Sequence, residues 1–129
     1  MAGIENLSNE QINAITEKII GCAFQVSNKL GAGFLEKVYE NALVYELNNA
    51  GLSIERQVQL KVRYDGVIVG EYAADLLVEK CILVELKTVS NLEKIHLAQC
   101  LNYLKATGLK ICLLINFGNI KVQIKRLIN

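Results

Sequence analysis

Apolar residues near the start of the chain recur at steps of three and four. Ile12, Ile15, Ile19, Cys22 and Val26 line one side of a helix expected from about Asn9 to Leu30. Ser8-Asn9-Glu10-Gln11 has the form of a capping box ahead of it; Gly31 stops it and Gly33 opens the next element. A second helix is expected from about Phe34 to Ala50, ending at Gly51. Leu35, Val38 and Ala42, extended by Tyr45, give it one apolar line. Glu36, Tyr39, Glu40 and Leu43 fall on a different face, because residues three and four apart stack on one side. Glu36 and Tyr39 then point together at whatever this helix covers. Taken alone, Glu36 and Glu40 read as solvated surface carboxylates.

From Ile54 the period changes to two. Ile54, Val58, Leu60 and Val62 alternate with Glu55, Gln57, Gln59, Lys61 and Arg63, as in a half-buried strand. Arg56 breaks the pattern on the apolar face, marking either the strand's start or a position held near an acidic site. Asp65-Gly66 is a hairpin signal, and the return strand runs from Val67 to about Val78. On it Asp75 is expected to share a face with Glu71, Ala73 and Leu77. A tight turn at Glu79-Lys80 leads to a strand from Cys81 to Lys87, with Leu83, Glu85 and Lys87 on one face and Ile82, Val84 and Leu86 on the other. Ser90-Asn91-Leu92-Glu93 forms a second capping box, opening a helix from about Asn91 to Ala106 that Gly108 closes. Leu97, Cys100, Leu101 and Leu104 make its apolar face, with His96, Gln99 and Tyr103 beside it. Ile111 to Phe117 is continuously apolar, as in a central strand covered on both sides. Ile120 to Ile128 alternates again and ends basic, as in an edge strand. The order α-α-β-β-β-α-β-β predicts a single α/β domain: a mixed central sheet flanked by helices, its third and fourth strands parallel because a helix connects them.

Composition narrows the picture little. The chain has 129 residues, enough for one domain, with 52% hydrophobic residues and a formal net charge of +1. A nucleic-acid partner must therefore be met through a local patch. The four cysteines, Cys22, Cys81, Cys100 and Cys112, form no CxxC pair, which disfavours zinc and suits buried free thiols in a reducing cytoplasm. Met1 to Asn9 lack the pattern of a signal peptide, and no apolar run reaches the length of a membrane span.

The chemistry lies in Asp75, Glu85 and Lys87. Two carboxylates and a lysine inside near-continuous β-like apolar sequence must pair, shift their pKa or hold a metal. If the two strands joined at Glu79-Lys80 pair, Asp75 lies near Glu85 with Lys87 on the same face. Asp75, Glu85 and the Leu86 carbonyl can offer hard oxygen ligands to Mg²⁺, or Mn²⁺, with Lys87 easing formation of hydroxide from the attacking water or neutralising transition-state charge. A metal-free ion pair of Lys87 with either carboxylate satisfies the same spacing.

Asp75 followed by Glu85-Leu86-Lys87 resembles the signature of the PD-(D/E)XK nuclease superfamily. Gly33-Phe34-Leu35-Glu36-Lys37-Val38-Tyr39 resembles the motif that names the GxxExxY family within it. The resemblance runs from about Leu30 to the C-terminus, and the element order agrees with the superfamily's α-β-β-β-α-β core, a restriction-endonuclease-like arrangement. Ala74 stands where the superfamily's name has proline. The resemblance implies a nuclease in which Asp75 and Glu85 hold Mg²⁺ (or Mn²⁺), Lys87 assists the nucleophile, Glu36 lies close to the metal, and Gln99, with Tyr103 a turn on, faces the site from the later helix. The expected partner is DNA or RNA, and a homodimer would join two modest basic patches into one surface. Two other classes share these residues: a catalytically silent interaction module that keeps the nuclease fold, and a metal-dependent hydrolase of small phosphorylated compounds.

Overall fold

The computed structural model describes residues 7–129. Most of the stretch examined for a signal peptide, Met1 to Asn9, lies outside them. Helices α1 (Asn9–Leu30) and α2 (Glu36–Asn49) come first. Strands β1 (Ile54–Tyr64), β2 (Val67–Val78) and β3 (Ile82–Lys87) follow, then helix α3 (Lys94–Thr107) and strands β4 (Ile111–Asn116) and β5 (Gln123–Ile128). The strands form one sheet in the order β1-β2-β3-β4-β5, antiparallel except for the parallel β3–β4 pair across the α3 crossover. No helix among the described residues is long and apolar enough to cross a membrane.

Ser8 caps α1 as its sequence suggests: its hydroxyl accepts from the Gln11 amide at 3.1 Å, and its own amide donates to Gln11 Oε1 at 2.8 Å. α1 and α2 cover one face of the sheet, packing Ile19, Val26, Tyr39, Leu43 and Leu47 on Leu76, Ile82, Val84 and Leu86. α3 covers the other, packing Cys100, Tyr103 and Leu104 on Leu83, Cys112 and Leu114. β3 and β4 are thus sealed on both sides, which is why their sequences are almost wholly apolar.

α2 turns a different side inward from the one its leucine line suggests. Leu35 is 81% exposed, and Tyr45 is exposed too, whereas Tyr39, Glu40, Leu43 and Leu47 are buried. Tyr39 decides the matter. Its ring stacks on Phe117 at 4.8 Å, and its hydroxyl donates to the Gly31 carbonyl at 2.6 Å while accepting from the Phe34 amide at 3.2 Å. Tyr39 therefore clamps the α1–α2 loop and belongs to the core, while Glu36, one turn earlier, is half-buried. The loop it clamps passes through Gly33 at φ 112°, a conformation other residues rarely adopt.

α3 begins three residues later than its sequence predicts. The Ser90 box does not form; the Glu93 amide donates to His96 Nδ1 at 2.9 Å instead, so the lone histidine serves as a cap. The segment before it is held by Asn116, whose side chain accepts from the Val89 amide at 3.0 Å and donates to the Val89 carbonyl at 2.8 Å. The Phe117 amide donates to the Lys87 carbonyl at 2.8 Å. Gly118 lies so close to Val89 that a Cβ would collide with the Val89 backbone. Gly118→Ala should accordingly lower the free energy of unfolding in urea by about 1–3 kcal/mol, the usual range for overpacking. An unchanged midpoint would mean that the Val89 segment moves aside freely.

Candidate active site

β1 and β2 change faces part-way along. Ile54, Leu76 and Val78 pack with α1 and α2, whereas Val58, Leu60 and Ala74 pack with α3. These are residues of one parity on opposite faces, which a regular strand forbids. The switch falls at Gln57, whose φ is 49°, and at Asp75 across from it. Asp75 cannot therefore share one face with both Ala73 and Leu77: Leu77 joins Ala74 in the α3 cluster. The strict alternation assumed for β2 fails because the strand pair is re-aimed here.

The ladder between β2 and β3 ends at the same place. Its last pair is Leu76 with Val84. Beyond it, side chains take the backbone donors: the Asp75 amide donates to Glu85 Oε1 at 2.8 Å, and the Leu86 amide donates to Asp75 Oδ2 at 2.8 Å. Each carboxylate thus satisfies an amide, and the two strands splay around them. Asp75 and Glu85 do converge, as the hairpin reading expects.

Burial raises the Glu85 pKa, and the neighbouring Asp75 charge raises it further; despite the Asp75 amide and Lys87, it is pushed up to about 8. Burial also raises Asp75, opposed by the Leu86 amide and raised again by Glu40. Glu36, at the first turn of α2, is raised by burial and then by the Asp75 charge, while Lys87 acts to lower it. Glu36, Asp75, Glu85 and Lys87 therefore share one electrostatic environment. Leu86 enters it through its backbone. Among the described residues no three His, Cys, Asp or Glu side chains close into a ready cage for a metal. Gln99 sits one step away: its Nε2 donates to the Tyr103 hydroxyl at 3.1 Å. Burial first, then the Glu85 and Asp75 charges, push that hydroxyl up to about 12.

Glu40 is the residue that sequence reasoning placed wrongly. It is 3% exposed, not a solvated carboxylate. Its Oε2 accepts from Arg56 Nη2 at 2.7 Å, Arg56 Nε at 3.1 Å and Lys37 Nζ at 3.2 Å, and its Oε1 accepts from Gln57 Nε2 at 3.0 Å. Gln57 also reaches Asp75 Oδ1 at 3.5 Å, and Arg56 donates to Asn41. Glu40 thus fastens α2 to the irregular stretch of β1 and, through Gln57, steadies Asp75. The signal was Arg56, a charge in an apolar alternation that needed a buried partner.

A family model of the PD-(D/E)XK nuclease superfamily matches residues 13–127. The chain belongs to that superfamily. The match takes in α2, the splayed β2–β3 pair and α3, every element that carries a candidate residue. Solved structures agree on the fold. The alkaline exonuclease LHK-Exo from Laribacter hongkongensis is 12% identical, with 95% of this chain and 71% of that one covered at a TM-score of 0.54. Its complex with dAMP gives 12% identity, coverage of 98% and 73%, and a TM-score of 0.55. SSO0001 is 17% identical with a TM-score of 0.54; 72% of this chain is covered, which spans 49% of that protein's length. No curated protein is significantly similar to the chain.

Proposed function

We propose that this PD-(D/E)XK domain is a Mg²⁺-dependent nuclease, with Mn²⁺ able to substitute, that hydrolyses phosphodiester bonds of DNA or RNA. The observation that carries the proposal is the convergence of Asp75 and Glu85 at the splayed end of β2–β3, each accepting a backbone amide there, with Glu36 and Lys87 within reach of their charges. Burial and mutual repulsion disfavour the charged carboxylates, a state that a divalent cation relieves. The donors suit a hard ion that takes one or two carboxylates and keeps its remaining positions for water and phosphate. Asp75 and Glu85 would hold it, with Glu36 and the Leu86 carbonyl as further oxygens. When bound, it supplies an activated water and stabilises charge on the phosphoryl oxygens. Lys87 holds positive charge next to both carboxylates, where an attacking water must lose its proton. Gln99 orients the Tyr103 hydroxyl on the α3 side.

Gly33, Glu36 and Tyr39 support placement in the GxxExxY family, where Tyr39 would be the structural residue of the motif and Glu36 the chemical one. A nucleotide-containing substrate is in keeping with the dAMP bound by the exonuclease LHK-Exo. Four buried free thiols suit a reducing cytoplasm, and a homodimer would double the basic surface offered to substrate.

Calorimetric titration of Mn²⁺ tests the centre. Wild-type protein should bind the ion, and Asp75→Ala and Glu85→Ala should lose most of the affinity. In parallel, a panel of single- and double-stranded DNA and RNA should be degraded only when Mg²⁺ or Mn²⁺ is present. Ion binding without hydrolysis would favour the silent interaction module. Absence of both would remove the proposal.

A further inference from the structure

The β1–β2 hairpin outruns the rest of the sheet, because β2 pairs with β3 only over Leu76 to Val78. Its outer part leans over α3 and leaves a groove of about 800 Å³ between them. Lys61 and Arg63 on β1, Tyr72 on β2, and Gln99, Tyr103 and Lys105 on α3 line it. Three of these are cations, and no carboxylate is among the lining residues. We propose that this groove seats a single strand of nucleic acid whose path leads to Asp75 and Glu85. The inference rests on the nuclease reading and adds to it the form of the substrate.

Tyr72 is the first reason. It is 50% exposed in a groove whose other tyrosine is buried. One side of its ring is supported: Tyr103 lies at 5.8 Å and 47°, and the ring leans over Gly70, where a Cβ would stand 3.3 Å from a ring carbon. A half-exposed tyrosine whose ring is held in place by its neighbours offers a stacking platform for an unpaired base. Lys61, Arg63 and Lys105 around it offer positive charge to phosphates.

Continuity with the carboxylates is the second. Gln99 and Tyr103 belong to the groove, they bond to each other, and the charges of Glu85 and Asp75 bear on the Tyr103 hydroxyl. Asp75, Glu85, Glu36 and Lys87 do not line the groove themselves; Gln99 and Tyr103 are the residues through which it adjoins their site.

Depth is the third. Glu85 is 4% exposed. A duplex carries its phosphates on a convex surface and keeps its bases stacked inside. It cannot lay a base on Tyr72 without unpairing it; a single strand can, and it bends a phosphate toward a recessed carboxylate more readily than a stiff duplex does. With a net charge of only +1, charge alone gives little grip on a duplex, and stacking has to contribute.

Fluorescence anisotropy in EDTA, where binding is separated from cleavage, is the test. The probes are labelled oligothymidylate and oligouridylate, compared with a blunt DNA duplex of equal length. At least one single strand should bind about tenfold or more tighter than the duplex, with a log–log salt slope near about −2 for three phosphate contacts. Tyr72→Ala should weaken strand binding about tenfold, and Tyr72→Phe should restore it. Lys61→Ala with Arg63→Ala, both exposed changes that spare the core, should flatten the slope to about −0.7. Equal or tighter duplex binding, or a strand affinity indifferent to Tyr72→Ala, overturns the proposal. The two readings fail separately. Metal-dependent cleavage that ignores Tyr72, Lys61 and Arg63 overturns the groove and leaves the nuclease. Tyr72-dependent strand binding by a protein that cuts nothing upholds the groove and overturns the nuclease.

Discussion

Glu85→Gln should stabilise the metal-free protein above neutral pH and flatten its dependence of stability on pH. Glu85 is pushed up to about 8 in the folded protein from an ordinary value of 4.5. Between those values the folded state holds a proton that the unfolded chain has released. Stability therefore falls as pH rises through this window and levels off above it. The full loss is on the order of 5 kcal/mol for a shift of this size. Asp75 and Glu36 are raised as well, and contribute with the same sign. Glu79, held below its ordinary value by the Ser53 hydroxyl and amide, works the opposite way, but only in acid. Glutamine keeps an oxygen to accept from the Asp75 amide and carries no charge to desolvate. Urea denaturation in EDTA at about pH 5, 7 and 9 should show the wild-type protein losing stability and the variant losing much less. Adding Mn²⁺ at the upper pH should then return stability to the wild type and leave the variant unmoved, since only a state that binds the ion gains from it. Parallel curves for the two proteins would show that Glu85 bears no such strain.

The part of this centre that depends on local pattern was legible in the sequence. Asp75 and Glu85 flank a tight turn, so pairing of their strands had to bring them near each other. Period two put Lys87 with Glu85. What escaped depends on partners distant in the chain. α2 has two apolar lines, and only the stacking of Tyr39 on Phe117, far along the sequence, selects the inward one. Glu40 is buried because Arg56 and Gln57 arrive from β1 to satisfy it. The face switch at Gln57 and Asp75 breaks the regularity that strand reading relies on, and it does so at the candidate site. Arg56 announced the break as a charge out of phase. The late start of α3 has a similar origin: Asn116 holds Val89 in place, and Glu93, not Ser90, takes the cap.

Lys87→Ala should separate chemistry from metal binding. Lys87 ends β3, paired in register with Asn116, and its carbonyl is held by the Phe117 amide. Its side chain is thereby presented from a fixed strand within reach of the Asp75 and Glu85 charges, where the proposed chemistry needs a positive charge. Removing the ammonium takes away a positive charge that matters most when the attacking oxygen loses its proton. The cleavage rate should fall by about 10²–10⁴, the usual worth of such a group, and should fall in kcat with KM little changed. Mn²⁺ affinity should hold or tighten, because the carboxylates lose a competing cation. Asp75→Ala should behave differently, losing the ion and cleavage together. It would also leave the Leu86 amide without its acceptor, so a lower unfolding midpoint should accompany the lost activity. A Lys87→Ala protein that cleaves at the wild-type rate would take Lys87 out of the chemistry. It would return the lysine to the role of a counter-charge for the buried Glu85 and the half-buried Asp75.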